Sequence, residues 1–67
     1  MLFIFEEDEK QIDCYKVSES CFVPRREDIV KINDNNYIIR SVIIEFNKNY
    51  LYNIRKIEKI TFKVYKF

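Results

Sequence analysis

The sequence predicts an all-β fold, a small and strongly bent antiparallel barrel of five to six strands, on three observations. Val, Ile, Thr, Tyr and Phe make up 28 of the 67 residues, while alanine is absent and leucine occurs only twice, so β-branched and aromatic residues have displaced the best helix formers. The apolar residues fall in short runs separated by charged or Asn-rich breaks, the signature of strands and tight turns. A chain of this length holds one core and buries only about 60% of the surface it exposes when unfolded. Several short strands in so few residues most simply close on themselves as one domain over 1–67.

Taken in order, Leu2 to Phe5 is apolar, Glu6-Glu7-Asp8-Glu9-Lys10 is a charged tip, and Gln11 to Val17 resumes with β-type residues. This is a hairpin over 1–17, because consecutive carboxylates are tolerable only where each can reach water. Ser18-Glu19-Ser20 breaks the pattern, and Cys21-Phe22-Val23 leads into Pro24, whose fixed φ opens a loop. The barrel strands proper occupy 28–67. Ile29 to Ile32 is a short strand, and Asn33-Asp34-Asn35-Asn36 the turn after it. In a chain without glycine, Asn and Asp best tolerate the positive φ of such a turn.

Tyr37 to Phe46 is the longest strand, with Arg40 and Glu45 as its charged members, and its length requires it to bend. Asn47-Lys48-Asn49 repeats the turn chemistry, and Tyr50 to Ile54 is read as a returning strand. Ile54, Ile57 and Ile60 recur at every third residue, which suits one short 3₁₀ or helical turn near 54–59, with a bulged strand as the rival. Ile60, Phe62 and Val64 then alternate with Thr61, Lys63 and Tyr65 in a final strand with one apolar face.

The run Pro24-Arg25-Arg26-Glu27-Asp28-Ile29-Val30-Lys31-Ile32, with Tyr37-Ile38-Ile39 and Val42, resembles a pattern in small SH3-like barrels, many of them phage proteins. There a Pro and a Gly-Asp pair open a Val/Ile strand, a short turn follows, and a Tyr-x-Val begins the next strand. Glu27 stands where those proteins usually carry glycine. The resemblance covers roughly residues 22–46 and implies an SH3-like barrel; it implies no particular activity, since this fold hosts many unrelated roles.

Composition narrows the chemistry. Histidine, glycine and tryptophan are all absent, which removes the commonest general base and metal ligand and every Gly-rich phosphate cradle. The hydroxyls of Ser18, Ser20, Ser41 and Thr61 have no activating partner nearby in sequence. No catalytic residue, metal site or cofactor is therefore assigned, and the chain is read as a non-enzyme. Cys14 and Cys21 are read as structural thiols, since two cysteines without histidine leave zinc short of ligands and a disulfide implies export. With neither an 18-residue apolar run nor a secretory leader pattern, the expectation is a cytoplasmic protein without a membrane partner.

Charge is the most informative feature. Residues 1–28 carry 8 acids and 4 bases, and residues 29–67 carry 3 acids and 8 bases, so a net +1 hides halves of −4 and +5. Such a dipole steers charged partners or pairs copies of the chain. The candidate protein-binding residues are Glu6, Glu7, Asp8 and Glu9 at the hairpin tip, and Arg25 and Arg26 in the loop after Pro24. Ile, Lys, Asn, Tyr and Phe account for 36 residues, a bias that AT-rich codons produce. The expected function is a non-catalytic protein-binding module, of the inhibitor or adaptor type by which a phage or mobile element acts on a host defence machine. One alternative is a nucleic-acid-binding barrel using Tyr50, Tyr52, Lys59, Lys63, Tyr65 and Lys66, where rings would stack on bases and lysines follow phosphates. A second is a self-assembling structural protein or homodimer, paired through an exposed edge of strand 60–66.

Overall fold

A computed structural model describes residues 1–18, 21–46 and 57–67. Among these residues there are five strands: β1 (Leu2–Glu7), β2 (Lys10–Lys16), β3 (Ile29–Ile32), β4 (Asn35–Phe46) and β5 (Ile57–Lys66). They form one sheet in the order β2-β1-β5-β4-β3, curled strongly into a half-barrel as the composition predicts. Neighbouring pairs are antiparallel except β1 with β5, which run parallel. That pair joins the two ends of the described chain, and its register sets Phe3 beside Ile60 and Phe5 beside Phe62. Paired residues share a face, so the alternating apolar positions of both strands meet on one side of the sheet.

That side holds the core: Phe3, Phe5, Ile32, Tyr37, Ile39, Ile60, Phe62 and Val64. Phe62 lies at its centre, fully buried, edge-on to Phe3 with centroids 5.1 Å apart and stacked on Phe5 at 4.9 Å. After β2, Val17, Cys21 and Val23 pack against the core. Both cysteines are free thiols, with Cys21 half-buried as a structural thiol would be and Cys14 exposed on β2.

Two tight turns are made without glycine. Glu7 pairs with Lys10 around Asp8 and Glu9, whose φ angles are 49° and 65°. Ile32 pairs with Asn35 around Asn33 and Asp34, with φ angles of 49° and 66°. Two consecutive residues at positive φ make the hairpin turn whose twist matches that of the strands. Asn33-Asp34 follows the expected side-chain preference, whereas Asp8-Glu9 makes the same turn with two exposed acids, one of them a glutamate. Asn35 and Asn36, expected in the turn, belong to β4.

Two expectations about the C-terminal half change, and a third falls outside the described residues. The first residues of β5, Ile57 to Lys59, are strand, so the helical turn expected near 54–59 does not extend over them; 54–56 lie outside the described residues. The return over Tyr50 to Ile54 also lies outside them, and the strand that pairs along β4 is β5, from Tyr37 opposite Lys66 to Phe46 opposite Ile57. Finally, β5 is the central strand and not an edge. β1 pairs along one side of it and β4 along the other, so strand 60–66 offers no edge for pairing with a second copy; among the described residues the sheet ends on β2 and β3.

Candidate functional site

The loop after Pro24 is built by a compact turn. Asp28 binds it twice: its carboxylate accepts from the Arg25 backbone N–H at 2.8 Å, and its own N–H donates to the Arg25 carbonyl at 3.1 Å. Glu27 between them has φ 76°, in the left-handed region that glycine enters most readily. The turn is then tied to β4, because Glu27 N–H donates to the Ile39 carbonyl and Ile39 N–H to the Asp28 carbonyl. The side chains of Arg25 and Arg26 are left projecting to solvent.

On the facing strand the ladder between β4 and β5 slips by one residue between Ile39 and Ser41. Arg40 is the unpaired extra residue of this bulge, and a bulge re-aims the side chain it carries. Arg40 therefore joins Arg25 and Arg26 around an open groove of about 870 Å³, lined also by Phe22, Pro24, Val42 and Ile44. No carboxylate lines this groove, and none of the three guanidiniums has an ion pair among the described residues. Phe22 is 75% exposed at its rim. Apolar walls with unpaired arginines are the composition of an interface centre, since aromatic residues and arginine carry most binding energy where protein meets protein.

The acidic tip is a different kind of surface. Glu6 is ion-paired with Lys63, which sits opposite it across the parallel ladder, and the Glu7 carboxylate accepts the Lys66 backbone N–H at 3.0 Å. Of the four acids only Asp8 and Glu9 are fully exposed. The structure thus divides the predicted protein-binding residues, bringing Arg25 and Arg26 to the groove and leaving Glu6 and Glu7 engaged within the sheet.

Of the alternative nucleic-acid residues, Lys59, Lys63, Tyr65 and Lys66 all lie on β5. Tyr50 and Tyr52 lie outside the described residues. Lys63 is held by Glu6, and Lys59 lies 3.7 Å from Glu45; Tyr65 and Lys66 are exposed. On β2, the Tyr15 hydroxyl donates to the Asp13 carboxylate. That hydrogen bond, followed by desolvation and the carboxylate's charge, raises the phenol above its ordinary pKa. Among the described residues no group of thiols and carboxylates gathers as metal ligands, and no helix is long and apolar enough to cross a membrane.

Arg40, Phe22, Val42 and Ile44 were not candidates from sequence. The available signal was Arg40 itself, a charge interrupting a run of β-formers in the longest strand, which is how a bulge announces itself. Scans against protein-family models, curated proteins and solved structures return no match for this chain.

Proposed function

We propose that this chain is a non-catalytic protein-binding module that engages its partner through the groove between the 22–26 loop and β4. The observation that carries the reading is the meeting of Arg25, Arg26 and Arg40, unpaired among the described residues, around apolar walls with no carboxylate among them. Leaving three cations exposed without partners gains the free protein nothing, whereas a complementary acidic surface would be steered to them and held. A binding module of one small domain acts by occluding or bridging what it binds, which agrees with an inhibitor or adaptor of the phage or mobile-element type. The basic aromatic surface for nucleic acid has less support, because Lys59 and Lys63 already face carboxylates.

The test is affinity capture from a low-GC bacterial lysate with the tagged protein and with an Arg26→Glu/Arg40→Glu variant, each with and without nuclease. The expected result is a protein retained stoichiometrically after nuclease by the parent chain and lost from the variant. Retention that vanishes on nuclease treatment would replace this reading with nucleic-acid binding, and a protein held equally by both chains would move the interface elsewhere.

A further inference from the structure

The groove lies along a length of β4 that, among the described residues, has a neighbour on one side alone. β3 pairs with β4 only from Asn35 to Ile38, and the turn at Glu27 and Asp28 continues the contact to Ile39. Beyond the Arg40 bulge, β4 runs on to Phe46 with β5 on one side. On its other side no described residue pairs with it. In an antiparallel ladder alternate residues direct both backbone groups to the same side, so about three residues of Ser41–Phe46 present N–H and C=O groups there that have no partner among the described residues. Six residues of strand span roughly 20 Å, and the groove walls Val42 and Ile44 belong to this same length.

Resting on the binding reading above, we propose that the occupant of the groove is an extended acidic segment of the partner, added to the sheet as a strand antiparallel or parallel to Ser41–Phe46. Backbone pairing would supply the general affinity and alternate side chains the selectivity, the division that strand addition always gives. One set of alternating side chains would lie against Val42, Ile44 and Phe22. The carboxylates would reach Arg25, Arg26 and Arg40, whose forked donors match a carboxylate in two parallel hydrogen bonds. Charge is what selects an acidic segment, since the three groove cations have no anion among the lining residues. The occupied edge would also cease to be a site of uncontrolled pairing.

The probe is a synthetic eight-residue peptide alternating Asp and Val, compared with an alternating Lys and Val peptide and with the acidic peptide N-methylated at alternate amides. The expected result is saturable binding of the acidic peptide alone, weakened at least tenfold in Arg26→Glu/Arg40→Glu and by backbone methylation. Amide exchange within Ser41–Phe46 should slow in the complex. Acidic-peptide binding with no slowing at those amides would overturn strand addition while leaving an arginine-dependent interface standing. Indifference of the peptide to its charge would overturn the acidic occupant, and so would concentration-dependent self-association that fills the groove with a second copy of the chain. If the captured protein and the peptide both ignore the arginine substitutions, the groove is not the interface and this proposal fails with it.

Discussion

The hairpin of β1 and β2 and the groove beside β4 differ in how their polar groups are satisfied. On the hairpin, Glu6 meets Lys63, Glu7 takes the Lys66 amide, and Asp13 accepts from Tyr15 and from the Cys14 backbone. At the groove, three guanidiniums, an exposed phenylalanine ring and a stretch of strand edge have no partner among the described residues. Both regions looked equally charged in the sequence. What separates them is the parallel pairing of β1 with β5, which lays acids of the negative half beside lysines of the positive half and so spends the molecule's charge asymmetry internally at one end. At the groove Arg25, Arg26 and Arg40 make no ion pair among the described residues, although Arg40 also borders the hollow that holds Glu6, Asp8 and Glu9.

The largest effect tests what the two regions share. Phe62 lies between the rings of β1 and the strand that carries the groove, so Phe62→Ala should cost about 3–5 kcal/mol, comparable with the whole stability of so small a domain. Thermal melting followed by circular dichroism should show no cooperative transition at 25 °C and above. A cooperative transition retained by this variant would mean that hairpin and groove do not depend on one core. Next come the turns that shape each region. Glu9→Gly on the hairpin and Glu27→Gly at the groove each relieve a side chain held at positive φ, and each should stabilise by about 0.5–1 kcal/mol in denaturant unfolding. A loss at Glu27→Gly alone would show that its side chain contributes to the groove.

Much of this was legible beforehand because it depends on alternation. Phe3 and Phe5, and Ile60, Phe62 and Val64, are placed by a two-residue period that survives any topology, and Asn33-Asp34 reveals its turn by residue type. Topology itself was less legible. Parallel pairing of β1 with β5 is a contact between the two ends of the chain, and no local pattern encodes which strand becomes central. The Lys-rich face of β5 looked like a guarded edge because lysine serves that purpose on edges, yet it also serves to pair with carboxylates on adjoining strands, as Glu6 and Glu45 show. The groove escaped notice for a related reason: Arg25 and Arg26 stood out in a loop, but Arg40 joins them only because β4 bulges, and Val42 and Ile44 looked like ordinary core.

The Glu6–Lys63 pair sharpens the contrast at smaller scale. Its side chains are 25% and 36% exposed, so a double-mutant cycle with Glu6→Gln and Lys63→Met should give a coupling of about 0.5 kcal/mol that shrinks in high salt. Arg26→Glu and Arg40→Glu, by contrast, should change stability by no more than about 0.5 kcal/mol. A destabilisation by the arginine changes larger than the Glu6–Lys63 coupling would reverse the distinction between a satisfied end and an available one.

The smallest effect is a titration on the hairpin. Hydrogen bonding to Asp13 favours the neutral phenol of Tyr15, so its pKa in the folded chain is raised above the unfolded value. A group raised in this way contributes stability that is fully present below its unfolded pKa, near 10, and that contribution disappears as pH rises through the folded value. Tyr15 is largely exposed, so the contribution is small and the titration itself is the measurement. Tyrosine ring carbon shifts followed by NMR should show Tyr15 ionising at higher pH in the parent chain than in Asp13→Ala. Equal midpoints would mean that the bond is not held in solution, and that part of the hairpin's polar surface is as free as the groove arginines.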